Sequence, residues 1–94
     1  MRVRFSKLAL AELDAILANI RDDNPLAAAR FEAHLQLVLA RIAQFPQSAP
    51  EVAQRQGIRR VPLVRYPYMV HYTQVGDEVM ILRILHGARR SPWG

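Results

Sequence analysis

The chain has no cysteine, so its own residues can form neither a disulfide nor a thiolate metal site. That composition fits a reducing cytoplasm. Lysine occurs once, at Lys7, although lysine and arginine together number 13; the cation of this protein is arginine. No apolar run approaches the roughly 20 residues that a membrane helix needs. The basic start Met1-Arg2-Val3-Arg4-Phe5 is followed by Glu12 and Asp14, so it reads as neither a signal peptide nor a membrane span. Repeats, low-complexity tracts and a composition break are missing from the 94 residues, which predicts a single domain over 1–94. Missing too are a Gly-rich phosphate loop, a Ser-His-Asp set and a carboxylate pair suited to glycoside or peptide hydrolysis. The three histidines, His34, His71 and His86, share no ligand spacing, so neither a metal nor a cofactor is expected.

What is present is an uneven positive charge. The net is +5, and half the residues (51%) are hydrophobic, enough for one core in a chain that buries only about 60–65% of its unfolded surface. Residues 1–47 hold six basic and five acidic side chains, a net of +1. Residues 48–94 hold seven basic ones (Arg55, Arg59, Arg60, Arg65, Arg83, Arg89, Arg90) against Glu51, Asp77 and Glu78, a net of +4. Arginine suits forked contacts with carboxylate or phosphate. An acidic partner follows, either a nucleic acid or an acidic protein segment.

Arg2 to Phe5 alternates polar and apolar and predicts a first strand. Ser6 is placed to cap a helix whose apolar face is Ala9, Leu13, Ile16 and Ile20. Asp22-Asp23-Asn24-Pro25 breaks it. Asn24 then caps a second helix, with Pro25 in its first turn. Ala28, Phe31, Leu35, Val38 and Ile42 form one seam of that helix, and Pro46 ends it; two antiparallel helices follow. Gln47 to Gln56 is a polar loop. Ile58 to Arg65 predicts a second strand, at an edge or bulged because of Pro62. Tyr66-Pro67 marks a turn. Tyr68 to Gln74 is the third strand, Val75-Gly76-Asp77-Glu78 a hairpin turn, and Val79 to Leu85 the fourth strand, placed centrally. The order β-α-α-β-β-β predicts an α+β domain with the helical hairpin on one face of a small, mostly antiparallel sheet.

Strand alternation assigns the faces. Val70, Tyr72, Leu82 and Ile84 are expected against the helices. Met69, His71 and Arg83 are expected on the open face, joined by Arg59 or Arg60. An arginine in a strand must face water or an anion, so this face is the candidate binding surface. His34 is expected at the helix surface, and His86 at the turn into the tail. Arg89 and Arg90 are close enough to Arg83 in sequence to share an anion patch. Trp93 could stack on a base or a partner, or cover the core's edge.

The joint Asn24-Pro25-Leu26-Ala27-Ala28, the ending Phe45-Pro46, the segment Gly57-Ile58-Arg59, the strand Tyr66-Pro67-Tyr68-Met69-Val70-His71-Tyr72 and the run Leu82-Arg83-Ile84-Leu85-His86-Gly87-Ala88-Arg89 occur here in one order. Together they resemble the RelE/ParE superfamily of bacterial toxins from type II toxin–antitoxin modules, over nearly the whole chain. The resemblance implies a small basic toxin held inactive by a cognate antitoxin, with a higher-order toxin–antitoxin complex as a further expectation. It offers two activities. ParE-like members poison DNA gyrase; RelE-like members cut mRNA on the ribosome. The nuclease chemistry needs a base, an acid and cations around the phosphorane. The resemblance sets Met69 where those nucleases carry an arginine, and Arg59 and Arg60 where lysines are usual. Arginine stays charged and is a poor proton shuttle. The expectation is therefore a ParE-like gyrase inhibitor that is not an enzyme, with Arg59, Arg60, Arg65, Arg83, Arg89, Arg90 and Trp93 as partner contacts. The alternative is an endoribonuclease working through Arg59, Arg60, His71, Arg83 and His86, and a third reading is a non-toxic antitoxin-binding protein.

Overall fold

The computed structural model describes residues 1–87. The elements are β1 (Arg2–Phe5), α1 (Lys7–Asp23), α2 (Pro25–Gln44), β2 (Ile58–Pro62), β3 (Tyr68–Val75) and β4 (Glu78–His86). This is the α+β order that the sequence predicts.

Local chemistry fixes the helix ends. Ser6 Oγ accepts from the Ala9 N–H at 3.0 Å, which satisfies an orphan donor of the first turn of α1. Asn24 serves both helices. Its N–H donates to Ile20 O at 2.8 Å, and its Oδ1 accepts from the N–H groups of Leu26 and Ala27 at 3.0 and 3.3 Å. Pro25 follows at the one position where a missing N–H costs nothing. Among the described residues, no helix is long and apolar enough to cross a membrane.

The sheet runs β1-β4-β3-β2, with β1 parallel to β4 and the other pairs antiparallel. The strand β4 is thus internal and β2 is an edge, as Pro62 implies. The β3–β4 hairpin turns through Gly76 at φ 62°, with Asp77 outside the left-handed region, which is the type II′ pattern. One face of the sheet packs on the hairpin: Val70, Tyr72, Val79, Ile81 and Ile84 meet Ala9 and Ile16 of α1 and Phe31, Leu35 and Ile42 of α2. Phe31 stands edge-on to Tyr66 and Tyr68, with centroids 4.9 and 5.9 Å away.

Three local expectations are corrected. The strand β2 ends at Pro62, not Arg65, because Leu63 to Tyr66 form a turn closed by Tyr66 N–H to Leu63 O at 2.8 Å, with Arg65 at φ 77°. Alternation breaks in β4: Tyr72 pairs with Ile81 but His71 pairs with Arg83, so Leu82 is a bulge residue. Ile81 and Ile84, rather than Leu82 and Ile84, are therefore the core residues. His34 is half-buried, its ring centroid 5.6 Å from that of Tyr66, where a surface position was expected.

Candidate functional site

The face away from the helices carries a row across three strands. Arg60 of β2 is the register partner of His71 in β3, and His71 is the partner of Arg83 in β4. Directly opposed side chains stand about 5 Å apart at Cβ, so one histidine sits between two guanidinium stems. Arg60 is exposed, while His71 retains only 3% of its surface. Burial first, and then the charges of Arg60 and Arg83, push the His71 imidazole down to about 4; Glu12 opposes them weakly. His71 is accordingly neutral at pH 7, with one ring N–H and no imidazolium charge.

Glu12 is the residue that decides what the row can do. Arg83 Nε lies 3.1 Å from both Glu12 oxygens, and Arg83 Nη2 lies 2.8 Å from Oε2. Glu12 Oε1 also accepts from the Ile84 N–H at 3.0 Å. The two side chains keep 24% and 17% of their surface. These bonds to Glu12 raise the Arg83 pKa further above its ordinary value. The arrangement follows from topology. The strand β1 ends at Phe5, opposite Ile81. Beyond that point α1 takes over the edge of β4: Ser6 N–H donates to Ile81 O at 2.9 Å, Ser6 Oγ donates to Leu82 O at 2.9 Å, and Glu12 covers Ile84. Arg83 was expected to meet an outside anion, but an internal carboxylate already holds it. Nothing short-range in the sequence marks a pair 71 residues apart. One signal was available: Glu12 is three residues after Ala9 and four before Ile16, on the buried stripe of α1, where a carboxylate requires a partner.

The other expected residues are dispersed. Arg59 pairs in register with Tyr72 and so lies on the helix side. It donates to Ala49 O at 2.6 Å and Gln47 O at 3.2 Å, and meets Glu51 at 3.4 Å, which fastens the loop before β2. Tyr72 supports the same loop through a 2.9 Å bond from its hydroxyl to Pro46 O, and burial raises its pKa. Arg65 is exposed in its turn. His86 packs edge-on against Tyr68, 5.7 Å between centroids, in a cleft of about 420 Å³ beside Glu12 and Asn19 of α1. It thus stands on the opposite face from His71. The nuclease set is split: Arg60, His71 and Arg83 are together, while Arg59 and His86 are elsewhere. Arg89, Arg90 and Trp93 lie outside the described residues.

A second concavity of about 580 Å³ runs between α2 and the β2 side of the sheet. Its lining is mostly apolar, including Leu37, Val38, Ile42, Val61 and Val64, with the cations Arg41 and Arg60 and the ring of His34. Leu37 and Val64 are 71% and 63% exposed, the two most exposed of the large aliphatic side chains among the described residues.

Comparison with known proteins agrees with this geometry. Residues 3–91 match the family model described as "ParE toxin of type II toxin-antitoxin system, parDE". The chain is 32% identical over 91 residues to a protein of Sinorhizobium fredii (strain NBRC 101917 / NGR234) named "Putative toxin Y4kP", covering 97% of this chain and 93% of that one. It superposes with a TM-score of 0.78 and 26% identity on a chain from a structure titled "Chromosomal ParDE TA system from P. aeruginosa", covering 92% of this chain and 95% of the other. With nearly its full length matched, the chain belongs to the ParE toxin family of type II toxin–antitoxin systems.

Proposed function

We propose that this toxin arrests growth by binding DNA gyrase in the cytoplasm, that a cognate antitoxin neutralises it within a higher-order complex, and that the pair thereby stabilises a plasmid or chromosomal segment. The observation that carries the reading is the Glu12 carboxylate on Arg83. It leaves Arg60 as the only exposed cation of the row across the three strands. His71 is neutral, and Lys7 stands at the start of α1, off the sheet. A phosphorane needs several convergent donors and an acid; in this row Glu12 already holds one guanidinium and the histidine carries no imidazolium charge. Action through protein contact does not require them. The family match supports an antitoxin partner, and the exposed apolar surface of the chain suits protein contacts.

The juxtaposition of Arg60, His71 and Arg83 supports a second reading, a ribosome-dependent mRNA endonuclease. One experiment separates the two. The chain is induced in a bacterium with and without its neighbouring gene, and DNA supercoiling and transcript integrity are read separately. Lost supercoiling with intact transcripts is the expected result. Rapid transcript cleavage with normal supercoiling would establish the nuclease. Normal growth of the strain carrying the toxin alone would point to a non-toxic binding partner.

A further inference from the structure

We propose that the toxin engages gyrase by strand addition: the outer edge of β1 accepts an extended segment of the target in which apolar and acidic residues alternate. This edge serves the gyrase reading above and rests on it, adding where the target binds and in what conformation.

The sheet order β1-β4-β3-β2 leaves two edges, and the fold treats them differently. Along β2 the backbone groups that point outward belong to Ile58, Arg60 and Pro62. Arg60 N–H donates to Pro50 O at 3.2 Å, Ile58 N–H donates to Arg55 O at 3.4 Å, and Ile58 O accepts from Val52 N–H at 2.7 Å. Pro62 has no N–H. The loop before β2 thus seals that edge, with Glu51 bridged to Arg59. The strand β1 is different. It runs parallel to β4, and Ser6 N–H, one residue beyond the strand, donates inward to Ile81 O at 2.9 Å. Backbone direction alternates along a strand, so Arg2 and Arg4 also point inward, while Val3 and Phe5 present their N–H and C=O groups outward. Among the described residues, no hydrogen bond reaches those four groups. Unpaired main-chain groups on an edge are the template that strand addition uses.

Side chains decide which strand fits. Val3 and Phe5 pack against the core on the helix side, so Arg2 and Arg4 stand on the open face, where both are exposed. Glu78 lies 3.8 Å from Arg2 and 3.6 Å from Arg4, and one carboxylate shared by two guanidiniums leaves a positive charge unbalanced. A complementary strand carries apolar residues opposite Val3 and Phe5 and acidic ones opposite the arginines. The same arginines disfavour a second copy of this chain. Antiparallel pairing of β1 with itself, with Val3 opposite either Val3 or Phe5, sets arginine against arginine, and like charges directly opposite are destabilising.

The test uses the full chain with purified gyrase and relaxed plasmid DNA. Val3→Pro removes an outward donor without breaking the ladder to β4, and should raise the toxin concentration that halves supercoiling at least roughly tenfold. Arg2→Glu with Arg4→Glu should do the same. Arg21→Glu with Arg30→Glu, an equal change of charge at exposed helix positions, should inhibit as wild type. Thermal melts confirm that each variant is folded. In the wild-type chain, amide exchange at Val3 and Phe5 should slow when gyrase is added; this measurement decides the matter even where a variant does not fold. Wild-type inhibition by the folded β1 variants, or unchanged exchange at the edge, would overturn the strand assignment and leave the gyrase reading standing. Protection of these amides by the small protein encoded beside the toxin, and not by gyrase, would overturn it as well. If the wild-type chain does not inhibit gyrase, the gyrase reading falls, and this proposal with it.

Discussion

Replacing Glu12 by alanine should cost this small domain a large part of its stability. The carboxylate accepts from the Arg83 guanidinium and from the Ile84 N–H, and the pair is only 17% and 24% exposed. Breaking a buried pair by removing one partner costs about 3–5 kcal/mol, because it strands the other charge. The residual exposure argues for the lower end, about 3 kcal/mol. The orphaned Ile84 N–H alone accounts for about 1 kcal/mol or more of this. A domain of this length has a total stability of about 5–14 kcal/mol, so Tm should fall by about 12–24 °C. Glu12→Gln keeps an oxygen for Ile84 and should lie between alanine and wild type. The double variant Glu12→Leu, Arg83→Met removes both charges and should regain most of the loss. Urea unfolding of wild type, Glu12→Leu, Arg83→Met and the double variant completes a cycle, with a coupling energy expected between about 1.5 and 3 kcal/mol. If Glu12→Ala loses less than about 1 kcal/mol, the pair behaves as an ordinary surface bridge. The argument that it occupies Arg83 then fails. A corollary is that Arg83→Ala destabilises the fold, so any loss of toxicity in that variant has to be read against its melting temperature.

Two further predictions concern other positions. His71 is held near 4 against an ordinary value of 6.5, so the unfolded chain binds the extra proton between those limits. Stability is therefore unaffected above about pH 7 and falls as the pH drops from about 6.5 toward 4. The loss between pH 7 and pH 5 should be about 2 kcal/mol. Urea titrations of wild type and His71→Gln at both pH values check this, and an unchanged slope in the variant would refute it. Arg65 occupies a left-handed position at φ 77°, so Arg65→Gly should stabilise the chain by about 0.5–1 kcal/mol in a thermal melt, and a loss would show that the side chain is held in place by contacts.

The sequence made much of the fold legible because its signals are local. Ser6, Asn24-Pro25 and Gly76 each fix a boundary through bonds or dihedrals within a few residues. The seam Ala28, Phe31, Leu35 and Ile42 reads directly as core. The candidate site was less legible because its determinants are non-local. Alternation alone put Arg83 on the open face with His71, which the register supports. It could not reveal that α1 would bring Glu12 to the same guanidinium. Arg59 and Arg60 are adjacent and chemically alike, and only the pairing of β2 with β3 sends one to the loop carbonyls and leaves the other in the row.

The bulge at Leu82 connects these points. Val79 and Ile81 face the core, and strict alternation would send residue 83 the same way, burying an arginine among Phe31, Leu35 and Tyr72. Such a charge would not be tolerated there. The extra residue flips the pattern, so Ile84 fills the core and Arg83 emerges beside His71. The bulge lies just past the end of β1, where β4 has lost its strand neighbour and α1 supplies the missing hydrogen bonds. An arginine that reaches this edge meets Glu12 before it meets any ligand. The same irregularity that makes an arginine possible in an internal strand thus removes it from service as an anion receptor. Arg60, at the β2 end of the same row, stays exposed.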